Sequence, residues 1–301
     1  MSARYDGPFL DSHQHFWDLS LQRHPWLLAM PADHPDAALK KDCLPGEYSA
    51  LAADCGIVAS VHVEANWDPS DPFGETLWLD SLERPKGIAG RYVAYASLGD
   101  DNAASVIEQH ARHPLIVGLR EILSWHPDPA KSRNPSNDRL GNAGWRENLQ
   151  RVGEHGLSFD LLVTPHQFED VARLAGDFEP MSFVLDHYGS PMDRDAEGMA
   201  FWRDGLSRLA RHPNIVLKLS DPVAYDRDWT PQSLADVTHA AIEAFGPDRC
   251  LFATDYPVAG LHIGFAEWVD FMRNALGRYT PDEARAIAIE NAARIYRFPL
   301  A

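Results

Sequence analysis

The chain is expected to fold as an α/β protein, a (β/α)8 TIM barrel. Eight short apolar or β-branched runs recur along it, each followed by a stretch with helical periodicity. No Gly-rich phosphate turn follows the first run, and G-x-G-x-x-G is absent throughout, which sets aside an open doubly wound sheet. In order, the strand candidates are FLDSH from 9, IVASVHVEA from 57, IAGRYVAYA from 88, LIVGLRE from 115, LSFDLLV from 157, MSFVLDH from 181, NIVLKLS from 214 and CLFATD from 250. Helix punctuation lies between them. Thr230-Pro231 suits N-cap and first-turn positions, Thr280-Pro281-Asp282-Glu283 has the form of a capping box, and Gly156 and Gly246 suit helix ends. The closing PDEARAIAIENAARIYRF has helical apolar spacing and is expected to complete the outer ring or to cover one end of the barrel. Two long connections, Phe16 to Pro45 and Ser124 to Gly144, follow strands and are candidates for substrate walls.

With 301 residues, 45% hydrophobic and 24% charged, the chain has enough apolar mass for one large core, and α/β barrels reach this size as a single domain, here 1–301. Its 44 acidic against 27 basic residues, net −17, repel phosphate backbones and anionic membranes, so neither nucleic acid nor a membrane is an expected partner. Cys43, Cys55 and Cys250 are too scattered for a disulfide framework or a structural zinc site, which fits a reducing cytoplasm. The N-terminal residues have no apolar export pattern, and no run of about 18 apolar residues is present.

Chemistry concentrates at strand ends. In Asp11-Ser12-His13-Gln14-His15 the H-x-H spacing puts two imidazoles on one face of a strand, where they can ligate a divalent metal or grip an oxyanion. A later run ends at His187 and the last at Asp255, and groups at the C-terminal ends of barrel strands share one mouth. Metal candidates are therefore His13, His15, His187 and Asp255; catalytic candidates are Asp255, His187 and Arg120. Arg120 is expected to hold a substrate carboxylate or carbonyl, or to form a barrel-wall ion pair near Glu121. Lys218 has the same two readings. Glu64 is an acid or the support of a histidine, and alternation puts His62 on its side of the strand. Trp17, Trp26, Trp67 and Trp125 fall in loops after strands, and Trp17 and Trp125 are expected, with Glu64 and Lys218, to meet substrate. His24, His34 and His126 are expected to be solvated or structural, with His126 the best exception. No histidine ends the fifth run, since His166 lies beyond it.

The runs DSHQHFWDLSLQRHPWL, VHVEANWDPSDPFGETLWLDSL, GLREIL, FDLLVTPHQF, FVLDHYGSP, NIVLKLS, FGPDRCLFATDYPV and ENAARIYRF, in this order over nearly the whole chain, resemble the amidohydrolase-2 branch of the amidohydrolase superfamily. That branch includes sugar-lactone hydrolases such as L-fuconolactonase and L-rhamnonolactonase. The resemblance implies a barrel of the metal-dependent-hydrolase type, a small-molecule lactone or carboxylate substrate and a place in carbohydrate catabolism. It also implies a centre at His13, His15, His187 and Asp255, with Asp255 as base. A related pyrone-dicarboxylate lactonase works without metal and related decarboxylases hold one divalent ion, so the resemblance leaves open one metal, zinc before manganese, or metal-free activity. It equally admits metal-dependent decarboxylation of an unsaturated acid or, more remotely, a non-catalytic binding barrel. Where relatives read GVRHIL and KLSG, this chain has GLREIL and KLSD, which places Glu121 and Asp221 as charges beside the mouth.

Overall fold

The computed structural model describes residues 4–299. Eight strands form one sheet, parallel throughout, in chain order. They are β1 Phe9–Gln14, β2 Ile57–Val63, β3 Arg91–Tyr95, β4 Ile116–Ile122, β5 Ser158–Leu162, β6 Phe183–Leu185, β7 Ile215–Leu219 and β8 Cys250–Phe252. A helix returns after each strand: Pro45–Asp54, Gly74–Ser81, Ala103–Ala111, Ala143–Glu154, Phe168–Asp177, Ala196–Leu209, Pro231–Phe245 and Phe265–Leu276. The expected TIM barrel is the observed fold.

Between β8 and β1 the circle closes beyond the regular ladder. Asp255 N donates to His13 O at 2.8 Å, and His15 N to Tyr256 O at 2.8 Å. Lower in the seam a side chain joins the strands, the Asp11 carboxylate accepting from Thr254 N at 2.9 Å, Thr254 Oγ1 at 2.6 Å and Tyr48 OH at 2.7 Å.

The capping signals hold. Thr230 accepts from Ser233 N, and Thr280 and Glu283 cap each other reciprocally. Gly156 and Gly246 sit at φ 68° and 78°, the left-handed region that a side chain resists.

The barrel interior changes character with height. At the N-terminal ends of the strands Leu10, Val61, Val93, Val184, Val216 and Leu251 form an apolar floor with Ile289, Ala292, Ala293 and Tyr296. Thus the C-terminal helical segment covers one end of the barrel. Above this floor the inward positions become charged: Asp160, Asp186, Lys218 and His13 are all fully buried, and Arg120 nearly so. The larger core lies outside the sheet, against the helices.

Candidate active site

Three imidazoles and one carboxylate converge where β1, β6 and β8 end. The Nε2 atoms of His15 and His13 are 3.1 and 3.5 Å from Asp255 Oδ1, and His187 Nε2 is 4.0 Å from Oδ2. Each ring is anchored through its other nitrogen. His15 Nδ1 donates to Val63 O at 2.7 Å, His187 Nδ1 bonds Ser220 Oγ at 2.8 Å, and His13 Nδ1 faces Asp186 Oδ1 at 3.5 Å. Anchoring at Nδ1 turns the Nε2 edges of His15 and His187 toward the carboxylate, the outer-shell arrangement of histidines that ligate metal, while His13 Nδ1 also lies 3.2 Å from Lys218 Nζ. His13 Nε2 and His15 Nε2 approach to 3.2 Å, close enough to share one proton or to flank one cation. One ligand atom each from His13, His187 and Asp255 lie within 4.8 Å of one another, and two imidazoles plus a carboxylate suit zinc. The residues therefore fit a divalent ion.

Burial, reinforced for His13 by the Lys218 ammonium, holds His13 well below the usual histidine range, and burial also lowers His187. For Asp255 burial acts upward, but His187, His15 and His13 outweigh it and hold the carboxyl well below its ordinary value, so it is ionised. Burial and then Asp255 push the neighbouring Asp221 well above its ordinary value. His187, Asp221 and Asp255 have φ of 49°, 48° and 52°. Left-handed backbone at non-glycine residues costs about 1 kcal/mol or more each, and strain of this kind concentrates at functional sites.

A cavity of about 300 Å3 lies over the cluster, lined by His15, Trp17, Trp26, Arg120, His187 and Asp255 among others. It shares His187, Asp255, Leu162 and Arg133 with a second cavity of about 530 Å3, walled also by Asp221, Tyr225 and Arg227.

Some sequence-predicted residues sit elsewhere than expected. Arg120 forms the ion pair, but with Glu64: Nε to Oε1 at 2.7 Å and Nη2 to the Glu64 carbonyl at 2.7 Å, leaving Nη1 beside His13 Nε2 at 3.3 Å. Glu64 is spent on this pair and on Asn66 N, and is fully buried, so it supports the site instead of meeting substrate. Lys218 is likewise unavailable to substrate, bound to Asp160 at 2.5 Å and Asp186 at 3.0 Å beneath His13. Trp17 lines the cavity, whereas Trp125, its backbone N–H and C=O bonded to Gln167 and Thr164, lines neither cavity. Glu121 faces the helical layer, bonded to Trp145, Arg139 and Leu98, away from the mouth that Asp221 does line. His62 points outward to Glu75, opposite to Glu64, because alternation ends with β2 at Val63. His24 is completely buried among Trp17, Trp67 and Trp78, and His34 lines the cavity.

Sequence reasoning missed the Asp160–Asp186–Lys218 cluster, although Asp186 directly precedes His187. It named His126 and His166 but missed that both meet at Asp193, the three ligand atoms lying within 4.8 Å of one another. There His126 Nδ1 accepts Asp128 N at 3.0 Å, so Nε2 carries the ring proton and donates it to Asp193 at 3.1 Å. With Lys131 also paired to Asp193, this is an ionic clasp across three loops, not a metal set.

A parallel barrel that gathers three imidazoles and a carboxylate at its C-terminal mouth defines a TIM-barrel enzyme with a metal-binding centre. The chain belongs to the amidohydrolase family, Amidohydro_2, whose family model matches residues 10–298, and it is a hydrolase. An uncharacterized protein of Sinorhizobium fredii is 31% identical over 97% of this chain and 99% of its own length. An L-fucono-1,5-lactonase of Burkholderia multivorans is 30% identical over 96% of each chain. Crystal structures of a Burkholderia multivorans amidohydrolase superpose over 97% of this chain and 100% of theirs, with HEPES bound (27% identity, TM-score 0.82) or zinc bound (26%, 0.81). Among the described residues no helix is long and apolar enough to cross a membrane.

Proposed function

We propose that the protein opens a sugar-acid lactone by water attack at this mouth. The carrying observation is the Asp255 carboxylate facing three imidazoles beneath a cavity sized for a monocyclic ring. Asp255 takes a proton from the attacking water as general base. The carbonyl oxygen, becoming an oxyanion, is met by Arg120 Nη1, the one arm of that guanidinium not spent on Glu64. The ring C–O bond then breaks, and the proton held on Asp255 passes to the leaving alkoxide. Trp17 and Trp26 supply flat apolar walls for the ring. A divalent ion, zinc before manganese, would be held by His13, His15, His187 and Asp255 and supplies Lewis-acid activation of water and carbonyl when bound. The lactonase relative at 30% identity supports this reading, and the zinc-bound neighbour supports the choice of ion.

Each ring opening at neutral pH releases one proton, so a pH-indicator assay of 1,5- and 1,4-sugar lactones, before and after chelation, tests the proposal. Turnover lost on chelation and restored by zinc assigns the cluster to an ion, and turnover that survives chelation assigns the electrophile to Arg120. Carbon dioxide release from an unsaturated acid, with no lactone opened, would replace the lactonase by a decarboxylase.

A further inference from the structure

We propose that Tyr296 and Asp160, on the barrel floor and away from the mouth, are positioning residues for His13 and act on it through Lys218 and Asp186. The proposal rests on the site described above and concerns how that site is held. Tyr296 belongs to the C-terminal helical segment, and its ring is buried in the apolar floor. Its hydroxyl rises out of that floor and donates to Asp160 Oδ2, on β5, at 2.8 Å. The same oxygen receives Lys218 Nζ, on β7, at 2.5 Å. Lys218 in turn lies 3.0 Å from Asp186 Oδ1, at the end of β6, and 3.2 Å from His13 Nδ1. Asp186 Oδ1 faces that same nitrogen at 3.5 Å. The line thus runs from the C-terminal helix through three strands to the ring nitrogen opposite the one aimed at Asp255.

Stability does not explain such a line. Three fully buried charged side chains occupy positions that the layer beneath fills with valine and leucine, and a buried ionic cluster commonly costs more than an apolar replacement. Its effect is geometric. Lys218 and Asp186 close on the Nδ1 edge of His13 at 3.2 and 3.5 Å and so fix where its Nε2 edge stands in the mouth, and Asp160 is the lower anchor of Lys218. Asp160 Oδ1 has no partner, so its orientation depends on the two bonds at Oδ2, one of them from Tyr296. Burial pushes the Asp160 carboxyl up to about 6; Lys218 opposes this, Asp186 adds to it, and the Tyr296 bond draws it down. Arg120, in register beside it on β4, is the remaining charge facing it across the sheet. As pH falls through 6, Asp160 takes up a proton and releases Lys218; without the Tyr296 hydroxyl this happens at higher pH.

The test uses Tyr296→Phe, which keeps the buried ring and removes only the hydroxyl, Asp160→Asn, and Ile289→Val as a floor variant that leaves the line intact. Zinc dissociation constants from chelator competition, kcat and KM between about pH 5 and 8, and thermal unfolding are measured on the whole chain. Outer-shell partners of metal-binding histidines are worth about 10–100-fold in affinity or activity. Tyr296→Phe is expected to weaken zinc about 10-fold, to lower kcat with KM within about twofold, and to move the acid limb of kcat upward in pH, with Asp160→Asn more severe. Ile289→Val should lower the unfolding temperature and move neither zinc affinity nor the acid limb. Unchanged zinc affinity together with an unmoved acid limb in Tyr296→Phe overturns the proposal. Wild-type protein that opens no lactone would overturn the proposed function alone, since the zinc constants still report how His13 is held.

Discussion

Asp255→Asn removes the proposed base, and with it one anionic ligand of the proposed ion, while leaving the local backbone in place. Asn is nearly the same size and tolerates left-handed backbone, which the φ of 52° requires, and the bonds from Asp255 N to His13 O and from Ala259 N to Asp255 O are backbone bonds that survive the change. What goes is the charge that draws on His15, His13 and His187 at 3.1, 3.5 and 4.0 Å, and with it the proton acceptor. Loss of general base catalysis costs about 10²–10⁴ in kcat, or about 3–5 kcal/mol of transition-state stabilisation. Because the histidines hold Asp255 below its ordinary value, it stays charged down through mildly acidic pH, and the deficit should be uniform between about pH 5 and 8. Proton release on a hydrolysed lactone, measured by stopped-flow indicator absorbance with unfolding temperature as a control, reads the effect. A kcat within about threefold of the unaltered chain, in a folded variant, removes Asp255 as base.

Four further outcomes follow from the same geometry. Glu64→Gln leaves the Arg120 guanidinium buried without its counter-charge and should cost about 3 kcal/mol in urea unfolding; a change under about 0.5 would mean that Asp186 already suffices. His24 has no polar partner and burial lowers it to about 4, so its neutral form is favoured in the fold. Stability is then complete above about pH 6.5 and declines by about 2–3 kcal/mol as pH falls to 4, a slope that His24→Phe should flatten in denaturation curves at the two pH values. Asp221→Gly relieves left-handed strain and a carboxyl pressed against Asp255, and should raise unfolding free energy by about 1 kcal/mol; a loss would show that its side chain carries a structural bond. Zinc at about 100 times its dissociation constant should add about 2.7 kcal/mol and raise the unfolding temperature by several degrees, reversed by chelator, an effect absent from His13→Ala/His187→Ala.

The barrel was legible because each β-α unit carries its own period and punctuation. His13, His15, His187 and Asp255 were legible for a related reason: all four stand at strand ends, where a polar group in an apolar run is conspicuous. The supports were not, because their meaning lies in pairings across the chain. Glu64 and Arg120 are separated by 56 residues, and Tyr296 and Asp160 by 136. In isolation FDLL and VLKL read as apolar strands with an incidental charge, although Asp160 and Lys218 meet inside the barrel. Parity failed at Glu64, where the strand has ended, and Glu121 faces the helices because it alternates with the inward Arg120 in regular register on β4. Loop residence says nothing about which way a ring turns, and Trp125 lies outside both cavities.

The seam between β1 and β8 is closed by two backbone bonds and the Asp11 carboxylate in place of a regular ladder, and it lies directly under the reactive cluster. A slow opening there would part His13 and His15 on one lip from Asp255 on the other, so the joint where the circle is most easily breached and the place where chemistry is done are the same. In hydrogen-exchange terms, the amides of His15, Thr254 and Asp255 report directly on the integrity of the site. Any ligand that bridges the two lips would then rivet the barrel shut, and its binding would be felt as slower exchange along β1 and β8.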